Sequence, residues 1–330
     1  MFKQLAVCAA LVGATSSVAD AGNGTNLTKY VADTTQVVLV LDVSAGKKAQ
    51  LVKDSFSKLL DSQPDARAKL DEIGLDPLRD IDTVMISFGG FDELTNMKDN
   101  ATMVMIVEGR MPKDAMAKIK SKAEATATKD GVEFYTRDDT EVAVIGGRIF
   151  FTKTGHMGDV ISLAKGKSKA TLASGAKGKG LREAIKRAST KAHLWGAIVL
   201  PEKDRAKTVA AQLPVDAVSF GFKFSSDLEG SIRLETPSPT SAEASLKTLS
   251  SALPQVQMMM GGIGLDVAAK TIVLSQDKAA INASIKVTQT ELKALFAMAM
   301  AKRSGGAQPA PAAKPMSPAP SGGLGSKKTK

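Results

Sequence analysis

Apolar and polar positions along the chain alternate between two patterns. "TQVVLVLDV" (35–43) is an apolar, β-branched run and predicts a strand. Val52, Phe56, Leu59 and Leu60 then recur at helical spacing, which predicts a helix over 47–61 with one buried face. "IDTVMISF" (81–88) and "ATMVMIVEG" (101–109) are two further strands joined by a polar loop. Pro112 opens a helix expected to run to about 127, because a first-turn proline lacks an N–H that would be unpaired anyway. "VEFYTR" and "EVAVIGGRIFF" flank Asp138-Asp139, a hairpin turn, and a short helix is expected over 157–165.

The same order returns in the second half. "AHLWGAIVL" (192–200) is a strand and Pro201 starts a helix. "VDAVSFGFKF" (215–224) and "LEGSIRLET" (228–236) form a hairpin. Thr240-x-x-Glu243 and Thr288-x-x-Glu291 each have the form of a capping box. The first opens a helix with Leu246, Leu249 and Leu253 on one face; the second opens a helix with Leu292, Leu295, Phe296 and Ala299 inward. "KTIVLSQ" and "AAINASIKV" make another hairpin between them. Ile81-Asp82-Thr83-Val84 matches Val215-Asp216-Ala217-Val218 at the start of the second strand of each half. The expected fold is therefore α+β: two related β-α-β-β-α-β-β-α units with mainly antiparallel sheets and helices on one face.

The first 21 residues have the form of a secretory signal. Lys3 precedes the short apolar run "LAVCAALVGA", and Ala19-Asp20-Ala21 is a small-x-small cleavage site before Gly22. Val7 stands before Cys8 where a lipidation motif has a small residue, so plain export is expected. The mature chain then holds no cysteine, which excludes disulfides, thiolate metal sites and a cysteine nucleophile. The expected locale is periplasmic or secreted, with no transmembrane segment in the mature chain. The expected division is 1–21 signal, 22–165 first unit, 166–190 basic linker and helix, 191–303 second unit, and 304–330 a disordered Pro/Ala/Gly/Lys tail.

The formal charge of +10 is unevenly spread. The tail 302–330 has six Lys or Arg and no acid, and 165–191 has nine with one acid, Glu183, which leaves the remaining residues at −4. Lys177, Lys179, Arg182, Lys186 and Arg187 are the candidate contacts to an anionic polymer of the envelope. A protein partner is the other expected ligand. Specific nucleic-acid recognition is not expected, since no aromatics interleave the basic residues.

Candidate chemistry is sparse. "TLASGAKGKGLREAIKRA" (171–188) has phosphate-loop spacing from Gly175 to Gly180, but Leu181 and Arg182 replace the Lys and Ser/Thr that surround a phosphate. It is read as a flexible basic linker with a helix starting at Leu181. "VVLVLDVSAGKK" resembles the first strand of a von Willebrand A domain, in which Asp42 and Ser44 would be divalent-metal ligands. Gly46 replaces the next ligand of that pattern, and an N-cap role for Asp42 or Ser44 is the favoured reading. His156 and His193 lie in no zinc pattern, and no G-x-S-x-G elbow is present. Met258-Met259-Met260 are expected as core filler. No cofactor, metal or catalytic residue is assigned.

"VADTTQVVLVLDVSAGKKAQLVKDSF", "IGLDPLRDIDTVMISF" and "HLWGAIVLPEKD" resemble a group of uncharacterised exported proteins of myxobacteria and related Gram-negative bacteria. The resemblance covers about residues 28–300 and implies a duplicated α+β architecture in the cell envelope; it carries no site residues. The functional expectation is an exported, non-enzymatic binding or scaffold protein. A metal-dependent adhesion module, or a hydrolase whose site is not legible, are the alternatives.

Overall fold

A computed structural model describes residues 24–47, 68, 71–72, 74–90, 103–112, 114–210 and 212–303. The signal segment with Cys8, most of the helix expected over 47–61, and the tail from 304 lie outside the described residues. The strands are β1 (Val37–Asp42), β2 (Ile81–Phe88), β3 (Met103–Gly109), β4 (Ala125–Lys129), β5 (Val132–Arg137), β6 (Thr140–Ile145), β7 (Arg148–Lys153), β8 (Leu194–Val199), β9 (Ala217–Phe224), β10 (Leu228–Glu235), β11 (Val273–Asp277) and β12 (Ala280–Val287). The helices are α1 (Val43–Gly46), α2 (Pro77–Asp80), α3 (Ala115–Ser121), α4 (Met157–Ala164), α5 (Lys179–Arg187), α6 (Glu202–Ala210), α7 (Pro239–Gly262), α8 (Asp266–Lys270) and α9 (Gln289–Arg303).

The strands form one antiparallel sheet in the order β11-β12-β10-β9-β8-β1-β2-β3-β7-β6-β5-β4. The order is a duplication laid out from the middle. Outward from the β1·β8 ladder, β1-β2-β3-β7-β6 on one side repeats as β8-β9-β10-β12-β11 on the other. The class is α+β, as expected. The first unit adds the hairpin β4-β5 beyond the repeat.

Three element boundaries depart from the sequence expectation. The helix after Pro112 stops at Ser121, not near 127, and 125–129 is strand. Ala and Thr alternate there, and Asp130 (φ 51°) and Gly131 (φ 73°) make a turn whose twist suits a hairpin. "EVAVIGGRIFF" is two strands, because Gly146 (φ 58°) and Gly147 (φ 78°) reverse the chain inside it. Ser238, not Thr240, caps α7: its hydroxyl accepts the Ser241 N–H at 3.1 Å, and Pro239 fills the first helical position.

Helices cover both faces, not one. The central strands are apolar on both sides, so each side needs a cover. On the near face Val38, Val40, Met85, Ile106, Phe150 and Trp195 are buried against Leu27 of a short 3-10 turn, α4, Leu172 and α5. On the far face Val37, Leu41, Ile86, Met105 and Ile149 are buried beside Val43, Leu75 and, at the edge, Leu78 and Ile119. Full burial of each such side chain stabilises by about 1.5–3 kcal/mol. A smaller far-face cluster joins Leu265 and Ala268 of α8 to Val287 and Leu292, with Met260 and Leu295 at its edge. Met258 and Met259, expected as filler, are 72% and 65% exposed; they lie on the outer side of α7.

Gly109 ends β3 where a register shift between Ile81 and Thr83 brings backbone close. A Cβ on Gly109 would lie 2.1 Å from the Asp80 carbonyl oxygen and 2.8 Å from Ile81 Cα.

Candidate functional site

Asp42 ends β1. Its Oδ1 accepts the Ala45 N–H at 2.9 Å and the Ser44 hydroxyl at 2.7 Å, so both residues are spent on the N-cap of α1. Among the described residues no group of three His, Asp or Glu could hold a metal ion. His193 precedes β8. Its Nδ1 accepts the Phe224 N–H at 2.9 Å and its ring stacks on Phe224. Burial lowers its pKa, against the raising effect of Asp42. His156 sits at the N-cap of α4 without a side-chain capping bond. Among the described residues neither histidine ring has a hydrogen bond to a serine hydroxyl or a carboxylate; Asp42, which acts on His193 through its charge, is held by Ser44 and the Ala45 N–H.

The basic segment 168–187 is built into the fold. The expectation of a flexible linker is corrected here, because Leu172 is fully buried and its N–H donates to Val31 O at 2.7 Å. Arg182 Nη1 donates to the carbonyls of Leu172 (2.9 Å) and Gly175 (2.5 Å), so it closes the loop from within. Lys186 pairs with Glu183 at 2.8 Å, and Arg187 pairs with Glu235 of β10 at 3.0 Å. Of the five candidate contacts, Arg182, Lys186 and Arg187 have partners within the fold, and Lys177 and Lys179 are exposed.

The duplication points elsewhere. Gly146-Gly147 turns β6 into β7 just as Lys278-Ala279 turns β11 into β12. Carried from strand to strand through the registers, this correspondence returns to Ile81 and Val215, the pair matched in sequence. One near-face rung of the first unit is then Met85–Ile106–Phe150–Ala143. The same rung of the second unit is Ser219–Arg233–Asn282–Ser275. A core row has become a polar row. The neighbouring rung is Gly221–Ser231–Ser284–Val273.

The cause is a helix that changes sides. After β7 the chain turns onto the near face, where α4 buries Met157, Val160 and Ile161. The buried Glu141 carboxylate fixes the start of α4 by accepting the Met157 N–H at 2.8 Å. Val273 occupies the place of Glu141 in the second unit and has no carboxylate to offer. After β12 the chain turns to the far face instead. There Glu291 accepts the N–H groups of Val267 (3.0 Å), Ala268 (2.9 Å) and Thr288 (3.0 Å), completing the expected capping box on Thr288.

The near face of β10, β12 and β11, together with the part of β9 that α5 leaves open, forms a shallow cavity of about 230 Å³ beside the end of α5. Arg187, Ser231, Arg233, Asn282 and Ser284 line it. On its floor Ser219 is 2% exposed, and its Oγ has no hydrogen-bond partner among the described residues. Arg233 donates through Nε to Glu235 (2.7 Å) and through Nη1 to Asp277 (2.8 Å) and Asn282 (3.2 Å). Burial alone would lower its pKa, but hydrogen bonds to Glu235 and Asp277 and the charges of these carboxylates raise it above the usual arginine value. Sequence reading passed over these residues because alternating Ser and Arg on a strand reads as a solvent face.

No protein family matches the chain, and no curated protein does. Among solved structures it is similar to TP0453 in its crystal form I, at 10% identity and a TM-score of 0.45, over 82% of this chain and 96% of that one. No helix among the described residues is long and apolar enough to cross a membrane.

Proposed function

We propose that the protein is an exported, non-enzymatic binding protein of the cell envelope, and that the open face of its second unit is where it binds. One observation carries this reading: Ser219, Arg233, Asn282 and Ser275 stand where the first unit places Met85, Ile106, Phe150 and Ala143. A duplicated sheet that keeps one copy of its core row and replaces the other with donors and acceptors has given up burial on that side. Pockets that orient ligands use a few convergent polar groups of this kind. Export rests on the signal-like segment ending at Ala21.

The reading predicts that a small molecule from the native compartment occupies the cavity. The test is to add a low-molecular-mass envelope extract to isotope-labelled full-length protein and follow backbone amide resonances. Shifts centred on Ser219, Ser231 and Asn282, and lost in Ser231→Trp, which fills the cavity, are the expected result. No shift in wild type, or the same shifts in Ser231→Trp, would sink the proposal.

A further inference from the structure

We infer that the ligand of this face is a small molecule bearing a carboxylate or phosphate group, held by Arg187, Arg233 and the Ser219 hydroxyl. The inference rests on the reading of the face as a ligand site and names the chemistry it takes. Among the described residues two guanidinium groups line the cavity and no carboxylate does. The acids that balance them sit behind or at the rim. Glu235, with a side chain only 13% exposed, binds Arg233 through Oε1 and Arg187 through Oε2. Asp277 holds Arg233 from the outer edge of the sheet.

That arrangement fixes both guanidinium planes without using them up. A guanidinium carries five N–H donors in a rigid fork. Arg233 spends Nε and Nη1, and Arg187 spends Nη1, so Nη2 of each has no partner among the described residues. Arg187 keeps the edge formed by Nε and Nη2, which matches two carboxylate or phosphate oxygens at once, while Arg233, with Nε and both Nη1 protons engaged, offers Nη2 alone. Ser219 supplies the third point. Its hydroxyl is buried on the floor and unpartnered, as expected of a donor whose acceptor arrives with the ligand. Ser231 and Ser284 flank it on the next rung.

A neutral sugar fits less well. Carbohydrate sites use aromatic faces as well as hydroxyls, and the nearby Phe220 points the other way, against Gly196 on the far face. At about 230 Å³, below the ~300–1,000 Å³ usual for drug-sized ligands, the cavity suits a small group.

The test titrates labelled full-length protein with inorganic phosphate, citrate and glucose separately at constant ionic strength, followed by amide resonances. Phosphate or citrate is expected to give saturable shifts at Ser219, Ser231 and Asn282, and the two arms separate a phosphate from a carboxylate ligand. Ser219→Ala should keep the folded spectrum and weaken that binding about tenfold or more, the usual cost of losing a hydrogen bond to a charged group. Arg187→Gln, at an exposed helix end, should weaken it similarly and serves if changes at Arg233 disturb the sheet. Saturation by glucose alone would overturn the oxyanion while leaving the site. Shifts confined to 177–186, or equal affinity in Ser219→Ala and Arg187→Gln, would overturn the assignment of residues. Silence with all three probes would overturn the oxyanion, and the extract experiment then decides separately whether the face is a site.

Discussion

Asn282 stands on β12 where Phe150 stands on β7: the first pairs with Arg233 and Ser275, the second with Ile106 and Ala143. The ladders are alike and the burdens are not. Phe150→Ala should cost about 3–5 kcal/mol, the range for an aromatic truncated in a packed core. Asn282→Ala should cost less, about 1.5 kcal/mol, the low end for a hydrogen bond to a charged group, since Arg233 keeps its two carboxylate partners. Urea unfolding of the two variants measures the contrast, and similar losses would mean that the second unit's near face is packed after all.

Glu291 ties α8 to the start of α9. Burial alone would raise its pKa, but the N–H groups of Ala268 and Thr288, the Thr288 hydroxyl and the Val267 N–H hold it below the usual carboxylate value. A depressed folded-state pKa contributes stability that is present above the unfolded value of about 4.3 and is lost as pH falls through the lower, folded one. Glu291→Gln should therefore be less stable than wild type by about 1–2 kcal/mol at neutral pH, with the gap closing below about pH 4. Thermal melts from pH 3 to 7 test this, and a gap that stays constant with pH would show the charge to be irrelevant.

Loss of Asp42 removes a cap. Asp42→Ala should destabilise by about 0.5–2 kcal/mol, and calorimetric titration with Mg²⁺ and Mn²⁺ should show no heat in wild type or variant. Micromolar binding in wild type that vanishes in the variant would restore Asp42 and Ser44 as metal ligands.

At the end of β3, Gly109→Ala has nowhere to place a methyl group, because the Asp80 carbonyl and Ile81 Cα are backbone atoms that cannot turn aside. Overpacking of this kind costs about 1–3 kcal/mol. Gly147→Ala is a useful contrast: nothing lies within 4 Å of its added Cβ, and the penalty there comes from φ 78° alone. Denaturation midpoints of the pair separate steric from conformational cost.

The strands around Val37, Ile81, Met103, Trp195 and Phe220 were legible from β-branched and alternating runs, as was the capping box at Thr288. The duplication was legible from the match of Ile81–Val84 with Val215–Val218, and the structure extends it across five strands of each unit. What stayed hidden is set by pairing over distance. Nothing local to Ser219 says that it occupies the place of Met85. That follows only after three registers are joined through β10 and β12. The side to which a helix turns is hidden for the same reason: that Glu141, which holds the first turn of α4, corresponds to Val273 emerges only from the registers. Arg182 looked like a surface cation because its acceptors are backbone carbonyls, which no side-chain pattern reveals.

The β1·β8 ladder pairs Val37 with Ile198 and Leu41 with Leu194, residues far apart in the chain. Until β8 is made, β1 is a bare margin of the growing sheet, with Val37, Val38, Val40 and Leu41 along it. Such a margin recruits other strands, and a newborn first half would bind a stranger there as readily as its own second half. The slowest step in maturing should be this late closure of the middle, because contacts between distant residues form last.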